Sequence, residues 1–173
     1  MKKSIVITTL LAALSGVSVN AFAAGGGADV TLQGVITKTT CDVSVNNGNP
    51  TLNVGVFKTT EFDGSLTQIG ETPLTVELKS CSADETGKLL ILGTTASTAP
   101  ANTLFVNNVS DKTGFMLKDS NSVQVVNAAE KIDVTVNKST PTNYTFKVGM
   151  GSTVATPEPG IYTAPVTIAY LVR

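Results

Sequence analysis

The feature that most constrains the fold is a short-range alternation of apolar and polar residues, repeated along most of the chain. In residues 74–79, Leu74, Val76 and Leu78 alternate with a threonine, a glutamate and a lysine. A period of two places successive side chains on opposite faces of a β-strand, so that one face is buried and the other solvated. The other runs that predict strands are residues 41–45, 52–56, 88–92, 103–106, 115–117, 123–126, 132–136, 144–148 and 161–172.

Turn-forming residues separate these runs. Clusters of Asn, Asp, Gly and Pro lie at residues 46–50, 62–65, 85–87, 99–102, 141–143 and 156–160. No stretch carries the 3.6-residue apolar periodicity of a long amphipathic helix. Many short strands at fairly regular spacing predict an all-β chain that forms one antiparallel sandwich of the immunoglobulin type.

The composition excludes several kinds of chemistry. The 173-residue chain has no His, no Trp and two Cys, and its formal net charge is -1. Without imidazole there is no Ser-His-Asp catalysis and no His-ligated metal, and two cysteines cannot complete a four-cysteine zinc site. The charge balance provides no basic surface for nucleic acid. The adjacent carboxylates Asp84 and Glu85 fall in a polar turn and are expected to be solvated, so we expect no enzyme, cofactor or metal.

The first 23 residues have the pattern of a secretory signal peptide. Lys2 and Lys3 precede an apolar stretch at residues 5–14, and Ala21 to Ala23 supply the small residues of a cleavage site. The alternative is a membrane anchor, but the apolar stretch is too short to cross about 30 Å of hydrocarbon. We therefore expect export, cleavage after Ala23 and no membrane span in the mature chain.

Cys41 and Cys81 are expected to form a disulfide, because an exported chain enters an oxidising compartment and two cysteines allow one pairing. The alternative is two separate buried thiols. Cys41 shares the inward face of its run, whereas Cys81 falls in step with outward residues. A bulge or a strand end near Ser80 would reconcile the two.

The two ends of the mature chain resemble strands without neighbours. Near the start, the alternating small and apolar residues are Gly26, Ala28, Val30 and Leu32. At the other end, Val166, Ile168, Tyr170 and Val172 alternate with other residues up to Arg173. An exposed apolar strand edge promotes aggregation unless another strand pairs with it, and a strand from another chain would cover both ends. The alternative is that both segments pair within a closed sandwich.

In sequence order, several of these features resemble the structural subunits of bacterial pili assembled by the chaperone-usher route. They are the signal peptide, Gly26-Gly27, the segment Leu-Gln-Gly-Val-Ile at 32–36, Thr-Thr-Cys at 39–41, the second cysteine 40 residues later, Pro159-Gly160 and Tyr170. The resemblance implies an incomplete immunoglobulin-like antiparallel β-sandwich, completed by a donor strand from a chaperone or a neighbouring subunit.

The resemblance also implies roles for particular segments. Residues 24–33 would be an amino-terminal donor-strand extension, with Gly26, Ala28, Val30 and Leu32 as the inserted face, and residues 34–173 would be the pilin domain. The groove-edge strand that pairs with the periplasmic chaperone would carry Val166, Ile168, Tyr170, Val172 and Arg173. The partners would be related subunits, the chaperone and an outer-membrane usher, and the product a cell-surface fimbria that supports adhesion. The alternative function is a self-contained secreted carbohydrate-binding module.

Overall fold

The computed structural model describes residue 36 and residues 40–172. The expected signal peptide (1–23), the expected extension (24–33) and Arg173 lie outside the described residues. Within the described part, the chain forms seven antiparallel strands and three short 3-10 turns, without an α-helix. The expectation of an all-β antiparallel fold is confirmed.

The strands form two sheets that pack face to face. Their bounds are Asp42–Val45 (β1), Ile69–Lys79 (β2), Glu85–Gly93 (β3), Thr113–Lys118 (β4), Ile132–Val136 (β5), Thr142–Ser152 (β6) and Val166–Leu171 (β7). The first sheet has the order β1-β2-β6-β4, and the second has the order β5-β3-β7. Within the described residues, β7 therefore lies at the edge of its sheet.

The alternation in the sequence accounts for the core. Leu74 lies opposite Phe146 and Val76 opposite Tyr144 across β2 and β6, so the apolar residues of both strands point the same way. Leu89 and Ile91 of β3 face them from the second sheet and are almost completely buried. Burial of a side chain of this size stabilises the fold by about 1.5–3 kcal/mol.

Some expected strands are absent or shorter. Among the residues that the structure describes, 52–56 have no ladder partner, and 103–106 and 123–126 form only isolated bridges, at Phe105 and Gln124. The run 161–172 is a regular strand only at Val166–Leu171, and Pro165 directly before it has no N–H to donate. Alternation predicts which face of a segment is buried, but it does not predict whether the segment pairs with another strand.

Cys41 and Cys81 form the expected disulfide. It joins the residue before β1 to the end of β2, and the 40-residue separation corresponds to a stabilisation of about 4 kcal/mol on the chain-entropy model. The parity mismatch is resolved by a strand end, because β2 stops at Lys79 and Ser80 has a left-handed φ of 53°. No helix in the described part of the chain is long and apolar enough to cross a membrane.

Candidate functional site: an apolar groove beside the last strand

An apolar groove of about 1210 Å³ runs between the two sheets along β7. Its floor consists of inward-facing side chains from β2, β4 and β6, namely Leu74, Phe115, Leu117, Val148 and Met150. Among the described strands β7 ends its sheet, so side chains that would otherwise be core line a groove. A row of apolar side chains at the base of an open cleft can accept one more strand.

One wall of the groove is β7 together with the residues that precede it. Val166 and Ile168 line the groove, and so do Tyr162 and Ala164. From residue 161 to residue 168, exposed and half-buried side chains alternate without interruption. The inward face of β7 thus continues for two more alternating positions before the strand begins, which lengthens the wall.

The opposite wall is the irregular segment at residues 50–58. Leu52 and Val54 are half-buried and pack against the core, while Asn53 between them is exposed. The side-chain hydroxyl of Thr72 on β2 donates to the backbone oxygen of Val54 at 2.9 Å, and the Gly55 amide donates to the Asn53 side chain at 3.0 Å. This segment alternates as a strand does, and the hydrogen bond from Thr72 joins it to the sheet beside it.

Two phenylalanines extend this wall. The rings of Phe57 and Phe62 meet edge to face, with their centroids 6.5 Å apart, and both line the groove. Phe57 packs on Gly70, where a Cβ would lie 2.7 Å from the ring, and Gly70 itself has a φ of +79°. Glycine at position 70 therefore leaves room for the Phe57 ring against the backbone of β2.

The open end of the groove carries unusually exposed apolar side chains. Val56 is 99% exposed and Ile161 is 97% exposed, and both line the groove. Gly160 lies beside them, and a Cβ placed on it would have no atom within 4 Å. Apolar side chains exposed together at the rim of an apolar groove mark a surface that another chain can cover.

The lining of the groove has few ionisable groups. Among its lining residues, all of them in the described part of the chain, Glu158 and Tyr162 are the ionisable ones. The Tyr162 hydroxyl donates to the backbone oxygen of Glu158 at 2.6 Å. An occupant of this groove must therefore present apolar side chains inward, because a charge placed on the floor would have no partner there.

At the other end of the groove, here called the closed end, the next inward residue of β7 after Ile168 is Tyr170, which belongs to the core and does not line the groove. Its side chain is 4% exposed, and its hydroxyl donates to the backbone oxygen of Val134 at 3.5 Å. Burial raises the pKa of the Tyr170 phenol, and the nearby Glu85 carboxylate raises it further. Glu85 also accepts a hydrogen bond from the Thr40 hydroxyl, which places the start of the domain at this closed end.

The structure separates the residues that the sequence predicted for this edge. Val166 and Ile168 line the groove, Tyr170 is core, and Val172 packs against the core one residue beyond the end of β7. Arg173 and the four residues predicted for the inserted face lie outside the described residues. Insertion of those four residues into the groove is therefore a proposal.

Sequence reasoning missed the second wall and most of the floor. The alternation at residues 52–56 signalled one buried face, but it was interpreted as an ordinary paired strand. Phe57, Phe62 and Met150 gave no signal, because their role depends on long-range packing. In the described residues, no three His, Cys, Asp or Glu side chains could together hold a metal ion.

Comparisons with known proteins agree with this geometry. The family model for "Fimbrial protein" matches residues 30–170. The fold is similar to the crystal structure of the P pilus rod subunit PapA, with a TM-score of 0.57 and 14% identity over 76% of this chain and 99% of that one. It is also similar to a subunit in a chaperone-usher pilus structure concerned with rod uncoiling, with a TM-score of 0.56 and 17% identity over 84% and 96% of the two chains. A comparison with curated protein sequences gave no match.

Proposed function

Because the chain belongs to the fimbrial protein family, whose members are structural rather than enzymatic, we propose that it polymerises into a pilus by donor-strand exchange. Each subunit would insert an extended segment into the groove of a neighbour and receive a segment in its own groove. Assembly is then noncovalent, and it produces a fibre.

The observation that carries this proposal is the groove itself. It combines an edge of β7 that has no strand partner among the described residues, an apolar floor, and an opposite wall at residues 50–58 that already has a strand's alternation. One inserted strand could pair with β7 and cover the floor at the same time. A row of backbone hydrogen bonds plus buried side chains, at about 25 cal/mol per Å² of apolar area, supports very slow dissociation.

The segment proposed to enter is residues 24–33, with Gly26, Ala28, Val30 and Leu32 facing the floor. It is apolar on that face and carries its single charged side chain, Asp29, on the other. This charge pattern suits the groove, whose floor is uncharged. Residues 1–23 would be removed at export, and residues 34–173 would form the domain.

Before assembly, the groove needs a temporary partner. We assign that role to a periplasmic chaperone that pairs with the strand carrying Val166, Ile168, Tyr170, Val172 and Arg173. An outer-membrane usher would then receive the complex, and the finished fimbria would lie on the cell surface and support adhesion.

The alternative of a self-contained carbohydrate-binding module has no support from the surface. Such modules stack sugars on exposed aromatic rings, and every Phe and Tyr in the described part of the chain is buried or half-buried. The aromatic residues of this protein are used for packing instead.

The experiment that tests the proposal compares the mature chain with a variant that lacks residues 24–32, using size-exclusion chromatography and denaturant unfolding. We expect the full chain to form a ladder of stable multimers. The shortened chain should be an unstable or aggregating monomer, because its groove stays empty. Two well-behaved monomers of equal stability would show a closed sandwich and refute strand exchange.

A further inference from the structure

We propose a specific register for the inserted strand: it runs antiparallel to β7 in a second copy of the chain, with Val30 directly opposite Val166. This inference rests on the proposed strand exchange and adds the pairing of individual residues across the groove. It follows from the sizes of the side chains on the two strands.

Along β7 and the residues before it, four successive inward side chains decrease in size towards the open end of the groove. They are Tyr170, Ile168, Val166 and Ala164, and the large Tyr162 follows them. The inward face of the extension grows steadily along the chain, from Gly26 through Ala28 and Val30 to Leu32. Two such gradients fill a groove evenly only if the strands run in opposite directions.

In the proposed register, a large residue faces a small one or two medium residues face each other. The directly opposed pairs are Gly26 with Tyr170, Ala28 with Ile168, Val30 with Val166, and Leu32 with Ala164. Directly opposed residues in an antiparallel pair share one face, so each pair fills a single layer of the groove. Layers of nearly constant volume give the close packing that protein interiors require.

Other registers lose this match. A shift by two residues one way places Leu32 against Tyr162 and leaves Gly34 against Gly160, so that an overfilled layer borders an empty one. The opposite shift places Leu32 against Val166 and Val30 against Ile168, which overfills two successive layers. A parallel strand pairs small with small at one end and large with large at the other.

The match of side-chain sizes continues beyond the extension at residues 24–33. In the same register, Gly34 lies opposite the large Tyr162, and Ile36 lies opposite Gly160. Ile36 is 101% exposed within its own chain, and a Cβ on Gly160 would have open space around it. The Ile36 side chain of the second copy would fill that space beside the exposed Val56 and Ile161 of the acceptor.

The register also determines that the occupant comes from another copy. In this register, Ile36 of the inserted strand lies opposite Gly160 at the open end of the groove. Gly160 is ten residues, or about 33 Å of extended chain, from Tyr170. Thr40 lies at the closed end, because its hydroxyl donates to Glu85 and a Cβ on the nearby Gly87 would lie 2.7 Å from the Tyr170 ring. The four residues from Ile36 to Thr40 span at most about 14 Å, so a chain cannot fill its own groove in this way.

Cysteine pairs in the full mature chain test the register. We would combine Val30→Cys with Val166→Cys, with Ala164→Cys or with Ile168→Cys, assemble each variant, oxidise it, and boil it in SDS without reductant before electrophoresis. Directly opposed residues have Cα atoms about 4.5–5.5 Å apart, which suits a disulfide, whereas diagonal neighbours are about 7–8 Å apart. A covalent ladder is expected for the Val166 pair and should be lost in the other two.

Each outcome of this experiment has a distinct meaning. A ladder from either shifted pair, or from none of the three while polymers still form, overturns the register but leaves strand exchange intact. A cross-link confined to the monomer band shows that the chain fills its own groove and overturns the second copy as occupant. If the parent chain does not polymerise at all, the proposed function itself fails.

A size exchange provides a second test that needs no cross-link. Ala28→Ile alone should overfill the layer at Ile168 and lower the yield of polymer. Adding Ile168→Ala to the same chain should restore the yield, because the pair then has its original total volume. Rescue by Tyr170→Ala instead of Ile168→Ala would place Ala28 opposite Tyr170 and refute the register.

Discussion

Gly87 determines how closely β7 can approach β3. A Cβ at this position would lie 2.3 Å from the backbone oxygen of Leu171 and 2.7 Å from the ring of Tyr170. Neither neighbour can move easily, since one is strand backbone and the other is a buried ring. Glycine is therefore required for the close contact that positions the groove-edge strand.

Gly87→Ala is expected to destabilise the fold by about 1–3 kcal/mol, the usual cost of overpacking. Denaturant unfolding of the mature protein measures this effect. Gly160→Ala is the matched control, because the added methyl group would have no atom within 4 Å in the monomer. Equal midpoints for the two variants would show that β7 can shift to accommodate a methyl group at position 87.

Tyr170 should make stability depend on alkaline pH. Burial and Glu85 raise the pKa of its phenol above the ordinary value of 10.0. As the pH rises past about 10, the unfolded chain loses this proton first, so the unfolded state is favoured. The free energy of unfolding should therefore fall between pH 10 and the raised pKa, and should fall less in Tyr170→Phe. Parallel pH profiles for the two proteins would contradict this assignment.

At the scale of elements, the wall at residues 50–58 depends on few contacts. Thr72→Val removes the hydroxyl that donates to Val54, a bond expected to contribute about 0.5–1.5 kcal/mol. We expect faster amide hydrogen exchange at residues 53–56 and weaker capture of the inserted strand. Thr75→Val, on the opposite face of β2, is the control. Unchanged exchange in the Thr72 variant would show that side-chain packing alone holds this wall.

The strands that the sequence predicted well are those whose alternating segment pairs with another strand in the described structure. β2, β5 and β6 are found where residues 74–79, 132–136 and 144–148 alternate. Residues 52–56 alternate equally clearly, yet they form no ladder in the described structure. The difference is a neighbouring strand, which the described part of the chain does not supply and which no local pattern can reveal.

The candidate site was predictable to a similar extent. Val166 and Ile168 could be assigned to the groove edge from their period and their position near the end of the chain. Phe57 and Phe62 could not, because their contact with the groove follows from a turn at residues 59–61 and from the packing of Phe57 on Gly70. Residues that are distant in sequence met there only after the fold was known.

At the scale of the whole molecule, polymerisation should depend on the inward face of the extension. Val30→Asp or Leu32→Asp would remove about 1.5–3 kcal/mol of apolar burial and place an unpaired carboxylate on an uncharged floor, which costs several kcal/mol more. Both variants should fail to form multimers, as measured by size-exclusion chromatography, while the chaperone-bound monomer stays soluble.

Thr31→Asp is the matched control for these two variants. It adds the same charge between the same two positions, but on the outward face of the segment. It should therefore assemble normally. Normal fibres from Val30→Asp, or equal failure of all three variants, would contradict the assignment of the inserted face.

The disulfide has a mechanical consequence in a fibre built as proposed. Tension along the fibre would enter each domain through the chain that leaves the neighbour's groove, and that chain reaches a covalent cross-link at Cys41. Pulled there, the four-residue edge strand β1 could peel from β2 one residue at a time. The covalent bond to Cys81 instead transmits the load to the end of β2, an eleven-residue strand with neighbours on both sides. The fibre can then be stretched without unravelling its subunits from their first strand.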